Sequence, residues 1–172
     1  MDDAVEIVPI RQDHIESFHR ALDFVARERR YLAFLEAPPL EATRSFVLGN
    51  IEQGYPQLVA LSAGEVVGWC DVTRKARPIY AHSGVLGIAL LPEFRSRRIG
   101  RQLLDRTLVA ARTFGFHRIE LTVRENNKNA IELYKKAGFE IEGLLRDAVQ
   151  IDGAFENVVL MATLMQTLRS AC

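Results

Sequence analysis

Few folds accommodate the order of residues between Gly84 and Phe139. An apolar run, Gly84-Val85-Leu86-Gly87-Ile88-Ala89-Leu90-Leu91, empties into an arginine-rich turn, Pro92-Glu93-Phe94-Arg95-Ser96-Arg97-Arg98-Ile99-Gly100-Arg101. A short apolar run bounded by turn residues reads as a buried strand. An amphipathic helix leaves the turn, with Ile99, Leu103, Leu104, Leu108 and Ala111 at helical spacing on one face. A turn that opens a helix offers unpaired backbone N–H groups and the positive end of the helix dipole, which together suit a phosphate. Seven arginines and one acid, Asp105, lie between Arg95 and Arg118, so a phosphate-rich ligand is the first expectation.

The rest of the chain surrounds this stretch with alternating elements. Val5–Ile10 reads as a strand, a helix opens at Asp13, and a second helix spans Leu40–Gln53 between Pro38-Pro39 and Gly54. Leu58–Leu61 and Glu65–Val72 form a hairpin turned at Ala63-Gly64, and His82–Leu91 is the central strand. The helix after the arginine turn runs to about Gly115, His117–Val123 alternates as a strand, and a short helix from Lys128 to Ala137 ends at Gly138. Phe139–Gln150 and Phe155–Met165 pair as a hairpin turned at Asp152-Gly153. This order predicts an α/β fold, a mixed central sheet with helices on both faces.

Two segments carry a resemblance to a known family. Arg95-x-x-Arg98-x-Gly100 resembles the R/Q-x-x-G-x-G/A signature of the GNAT superfamily of acetyl-CoA-dependent N-acetyltransferases. Asn127-Lys128-Asn129-Ala130-Ile131-Glu132-Leu133-Tyr134-Lys135-Lys136-Ala137-Gly138-Phe139 resembles its second signature, N-x-x-A-I-x-L-Y-x-K-x-G-F. Both signatures in this order, with a strand between them, make a specific pattern, and the likeness extends more loosely from about Val5 to Met165. Phe139-Glu140-Ile141-Glu142-Gly143, Arg146-Asp147 and Asp152-Gly153 resemble the branch of amino-acid and ribosomal-protein N-acetyltransferases. The chain departs from the family at Arg98, where glycine is usual and lets the backbone approach a pyrophosphate closely.

The resemblance implies a mostly antiparallel sheet of about seven strands with about four flanking helices, and acetyl-CoA as co-substrate. Its pyrophosphate would lie on the turn, at Arg95, Ser96, Arg97, Arg98, Ile99, Gly100 and Arg101. The pantetheine arm would pair with the backbone of Ile88, Ala89 and Leu90, as an added partial strand, against Asn127 and Asn129. Tyr134 matches the family tyrosine that protonates the leaving thiolate, and the backbone N–H of Leu90 matches the oxyanion donor. No acid stands where relatives carry their base: the matching positions hold Val85 and Thr122. Glu120 and His82 are the remaining candidates for a proton relay. The apolar, aromatic segment Tyr31–Pro39 reads either as a loop packed on the core or as a wall of the acceptor pocket, with Tyr31, Phe34 and Glu36 facing the acceptor.

Three acceptor readings stay open: a small-molecule primary amine (amino acid, polyamine or amine-bearing antibiotic), a protein N-terminus, or no acceptor at all in an acyl-CoA sensor. Formal net charge is zero, so nucleic acid and anionic membranes are not expected partners. Neither the four histidines nor Cys70 and Cys172 show metal or redox spacing, so no metal is expected. No signal peptide or membrane-length apolar run is evident, which makes a single cytoplasmic domain over residues 1–172 the expectation. The resemblance extends to homodimers, for which an exposed sheet edge or the Val158-Val159-Leu160-Met161 strand is the candidate.

Overall fold

A computed structural model describes residues 4–165; Cys172 and the first three residues lie outside the described residues. In chain order the elements are β1 (Glu6–Pro9), α1 (Ile15–Arg27), α2 (Leu40–Gln53), β2 (Gln57–Ser62), β3 (Glu65–Arg74) and β4 (Ser83–Leu90). Then come α3 (Ile99–Phe114), β5 (Arg118–Arg124), α4 (Lys128–Lys136), β6 (Glu140–Ile151) and β7 (Ala154–Leu164). The seven strands form one sheet in the order β1-β2-β3-β4-β5-β7-β6, and every neighbouring pair is antiparallel except β4–β5. The predicted mixed, mostly antiparallel sheet is therefore present.

Local chemistry sets the boundaries. Ala63 and Gly64 both take positive φ (50° and 82°), as do Asp152 and Gly153 (50° and 83°), the geometry that two-residue hairpin turns demand. Gly54 closes α2 in the left-handed region at φ 69°. The first helix starts later than its sequence suggests: Gln12–His14 form a 3₁₀ turn, and α1 proper begins at Ile15.

Strand alternation divides the core between the two faces of the sheet. Phe18 and Val25 of α1 and Val47 of α2 pack with Val59 and Trp69 on one face, where the Phe18 and Trp69 rings meet edge-on at 5.3 Å. Cys70 and Val72, with side chains on the opposite face, join Leu103 and Leu104 of α3, Ile119 and Leu121 of β5, and Ile131 of α4. Full burial of each such side chain contributes about 1.5–3 kcal/mol, so both faces hold the sheet in place. Strand β7 lies between β5 and β6, and Val158, Val159 and Met161 are buried. The Val158–Met161 segment therefore offers no free edge to a second chain; the sheet edges are β1 and β6.

The single parallel junction is short. β4 and β5 pair only at Ser83–Arg118, Gly84–Ile119 and Val85–Glu120, although the strands continue to Leu90 and Arg124. Beyond Val85 they part.

Candidate active site

The opening between β4 and β5 exposes a row of backbone groups whose phase can be fixed. Leu91 N–H donates to Val67 O at 2.8 Å and Lys75 N–H to Ser83 O at 3.2 Å, at the two ends of an uninterrupted β3–β4 register. Odd-numbered residues of β4 thus bond to β3, and even-numbered ones turn toward β5. Ile88 and Leu90 lie past the last β4–β5 pair, so their backbone groups face the gap. Leu90 C=O is the exception, because Arg95 Nε donates to it at 2.9 Å. The backbone of Ala89 faces β3, opposite Trp69, and does not belong to this row.

At the end of β4 the turn makes a second row. Ser96 and Arg98 both take left-handed φ (60° and 63°), and alternation of this kind points successive N–H groups into one concavity. The first helical bond of α3 is Gln102 N–H to Arg98 O at 3.2 Å. The N–H groups of Ser96, Arg98, Ile99, Gly100 and Arg101 have no acceptor among the described residues. Five unpaired donors at the start of a long helix are a fitting cradle for a diphosphate. Gly100 has a steric role here: a Cβ on it would stand 3.3 Å from Leu90 Cδ1 and 4.0 Å from Leu133 Cδ2, so a bare backbone lets α3 meet β4 and α4. The Arg97 guanidinium lies 5.2 Å from the Phe94 ring centroid.

Arg95 is placed otherwise than its motif suggests. Its N–H donates to Pro92 O, and its guanidinium forms a fork with Glu28 (2.9 and 2.5 Å) while stacking on Tyr31 at 4.6 Å. With donors committed to Glu28 and Leu90 O, it ties the segment after α1 to the end of β4 rather than facing a phosphate.

Asn127 caps α4, its Oδ1 accepting from Ala130 N–H at 3.2 Å, and this leaves the side-chain amide NH₂ uncommitted. Tyr134 sits on the buried face of the same helix, 7% exposed, with its ring 5.8 Å from that of Phe139. Its hydroxyl makes no hydrogen bond among the described residues. Burial pushes the phenol well above its ordinary value. Burial likewise keeps the Cys70 thiol protonated.

Neither sequence candidate for a base fits. Glu120 hydrogen-bonds Lys75 and, at 3.2 Å, Arg118. Burial alone would raise its carboxyl, but these cationic partners outweigh burial and hold it below the usual range, where a carboxylate is a poor proton acceptor. His82 precedes β4, six residues before Ile88, which at about 3.3 Å per residue puts it about 20 Å from the open row.

A group that motif reasoning passed over is Asp71 on β3. It is 9% exposed, has no hydrogen-bond partner among the described residues, and burial pushes its carboxyl up to about 7. It pairs across the ladder with Gly87, and a Cβ on Gly87 would be 3.7 and 3.8 Å from its two oxygens, so the carboxylate leans over β4. The sequence did carry a signal, a single acid inside Val66-Val67-Gly68-Trp69-Cys70-Asp71-Val72.

Beside the gap, a cleft of about 570 Å³ is lined by Arg29, Arg30, Tyr31, Arg124, Lys128 and Glu156, with Asn127 and Asn129 on its α4 side. Arg124 is nearly buried and holds the segment after α1 by donating to Arg29 O at 2.7 Å and Leu32 O at 3.2 Å. Arg124 also faces Glu156 at 3.5 Å, and Arg29 pairs with Asp152. Arg30 and Lys128 have no acidic partner among the described residues. Of the predicted acceptor residues, Tyr31 lines this cleft; Phe34 is half-exposed outside it, and Glu36 lies in solvent near Arg27. Among the described residues no cluster suits a metal ion, and no helix is long and apolar enough to cross a membrane.

Comparison with known proteins bears on this geometry. The model of the acetyltransferase (GNAT) family matches residues 15–139. The L-amino acid N-acetyltransferase AaaT of Escherichia coli (strain K12) is 34% identical over 110 residues, covering 63% of this chain and 68% of that protein. The N-alpha-acetyltransferase RimI of Mycobacterium tuberculosis is 35% identical over 95 residues, covering 55% and 58%. The phosphinothricin acetyltransferase of Sinorhizobium meliloti, solved in complex with acetyl-CoA, superposes with a TM-score of 0.88 over 94% of this chain and 88% of its own, at 20% identity.

Proposed function

The chain belongs to the acetyltransferase (GNAT) family, and from that premise we propose that it acetylates the primary amine of a small molecule that also carries an anionic group, an amino acid or close analogue. N-Acetyl transfer from acetyl-CoA is the reaction of the family. The choice of acceptor rests on one observation: the cleft beside the gap holds four cationic side chains against one carboxylate, and Arg30 and Lys128 are without acidic partners among the described residues. A carboxylate or phosphinate there gains charge-assisted hydrogen bonds, which a polyamine would forfeit to repulsion. A cleft of about 570 Å³ is also of small-molecule size. AaaT, named for L-amino acids, supports the same class.

Each residue then has a task. The unpaired N–H groups of Ser96 and of Arg98 to Arg101 hold the diphosphate, and Asn127 donates its free amide to the arm above it. Ile88 donates and accepts along the gap, completing the interrupted ladder with ligand in place of a strand. The Leu90 N–H stabilises the oxyanion of the tetrahedral intermediate. Tyr134, a phenol protonated at neutral pH, delivers a proton to the departing thiolate. Arg95 positions Tyr31 and fixes Leu90 O, which keeps the neighbouring N–H aimed. The described residues work as one N-acetyltransferase domain, since both core clusters are built on the same sheet.

The test is a steady-state survey of amino acids, their carboxamides, polyamines and N-terminal peptides with acetyl-CoA. Amino acids are expected to lead, and Arg30→Ala with Lys128→Ala is expected to raise KM for the amino acid while leaving KM for acetyl-CoA within about twofold. Equal rates with carboxamides, a peptide preference, or a rise confined to acetyl-CoA would each overturn the acceptor assignment.

A further inference from the structure

Acetyl transfer from a thioester to an amine needs the amine neutral, yet at pH 7 an alkylamine is almost wholly protonated. The two positions at which the family resemblance leads one to expect an acid hold Val85 and Thr122, and Glu120 is held by cations. The geometry points to Asp71 as the group that takes the proton from the acceptor amine, directly or through one water, which makes it the general base of this enzyme.

Four observations carry the assignment. Asp71 lies on the face of the sheet that α1 and α2 cover, the face of Trp69 and Val59, and Arg124, which lines the acceptor cleft, shares that face by alternation along β5 from Glu120, the partner of Val85. Its carboxylate leans over Gly87, and the next residue, Ile88, belongs to the row facing the gap, so Asp71 stands one strand from the reacting thioester. Because residue 87 is glycine, no side chain of β4 fills the space the carboxylate occupies. Finally, the Asp71 carboxylate has no hydrogen-bond partner among the described residues, yet its oxygens are not among the atoms sealed from solvent, so the group is uncommitted and within reach of a water.

The surroundings are neutral. Gln57 faces Asp71 across the β2–β3 ladder and bonds Asn50 of α2 at 2.8 Å, while its own Nε2 is buried without a partner. From β4 the facing residues are Gly87 and Val85, and on β3 Thr73 and Trp69 share the face. Lys75, just past the end of β3, and Glu120 of β5 are paired with one another, and Arg124 with Glu156. Burial is the only cause acting on the Asp71 carboxyl, which puts its titration near neutrality, where a general base works best.

The proton balance closes. The ammonium passes one proton to Asp71, and the neutral nitrogen adds to the thioester carbonyl. The C–S bond breaks and the thiolate takes a proton from Tyr134, which recovers one from the nitrogen as the amide forms. Asp71 then releases its proton to solvent, so ammonium and thioester yield amide, thiol and H⁺.

This inference rests on acetyl transfer but not on the anionic acceptor, and the test separates them. The Asp71→Asn variant is compared with the parent across pH using amines of graded basicity. The expected result is a fall in kcat of about 10²-fold or more, loss of the inflection near pH 7, and a defect that shrinks for weakly basic amines already neutral at pH 7. Acetyl-CoA binding, read by thermal shift, is expected to persist. In parallel, ¹³C-aspartate NMR of the free protein should show one carboxyl titrating near pH 7 that is missing in the variant. An ordinary carboxyl titration, an unchanged pH profile, or a loss equal for all amines at every pH would overturn the assignment. Failure of the amino-acid preference alone would leave it standing, because the Asp71 defect is expected with any amine accepted.

Discussion

Replacing Tyr134 with phenylalanine separates chemistry from packing more cleanly than any other change here. The ring is buried among Ile131, Phe139 and Cys70, and Phe keeps all of that contact. The hydroxyl makes no hydrogen bond among the described residues, so its removal strands no partner. Loss of a bonded buried hydroxyl typically costs about 1 kcal/mol; without a bond to lose, unfolding free energy should stay within about 0.5 kcal/mol of the parent. Catalysis should respond very differently. A positioned acid contributes about 10²–10⁴ in rate, or about 2.7–5.4 kcal/mol of barrier at 1.36 kcal/mol per decade. Urea denaturation and thiol-release kinetics on the same preparations would measure both quantities. A variant with parental kcat would remove Tyr134 from the mechanism. A variant destabilised by more than about 2 kcal/mol would show that the hydroxyl has a structural partner, and the argument from an unbonded phenol would fail.

Three further outcomes follow from the geometry. The Asp71 carboxyl, raised to about 7 in the fold, releases its proton near 3.9 when unfolded, so between those values the unfolded chain binds fewer protons and stability falls as pH rises, by up to about 1.4 kcal/mol per unit. Asp71→Asn should therefore be more stable than the parent at pH 8 and similar to it at pH 4, by urea denaturation at both. Arg98→Gly relieves a left-handed residue worth about 1–2 kcal/mol against about 0.5–1 kcal/mol of added chain entropy; melting should rise by about 2–4 °C, and an unchanged or lower Tm would mean that the arginine side chain stabilises the turn. Glu28→Gln removes the charge from the fork with Arg95, and denaturation should report a loss of about 1.5–3 kcal/mol, with KM for the amine raised as Tyr31 loosens; parental values of both would refute the latch.

Much of the fold was legible because the residues that set it act locally. Asp152-Gly153 and Ala63-Gly64 announce their hairpins, Pro39 and Gly54 bracket α2, and the spacing of Ile99, Leu103 and Leu104 marks the buried face of α3. The turn before α3 was equally readable as structure, since a turn that opens a helix leaves backbone N–H groups unpaired whatever its side chains are. What the sequence concealed depends on partners remote along the chain. Arg95 looked like a phosphate ligand until Glu28 was found beside it, 67 residues away. Glu120 looked available until Lys75 and Arg118 closed on it. Asp71 was visible as an acid in an apolar strand, but its worth depends on Gly87 opposite and on the absence of any counter-charge, which only the assembled sheet reveals.

The three-pair junction of β4 with β5 has a consequence for the life of the molecule between turnovers. It leaves the sheet as two leaves, β1–β4 and β5–β7–β6, sharing a narrow seam. A donor seated along Ile88 and Leu90, as proposed, would act as mortar in that seam and knit the two leaves together. Under the proposed reaction, spent coenzyme leaves only as that seam between the two leaves reopens.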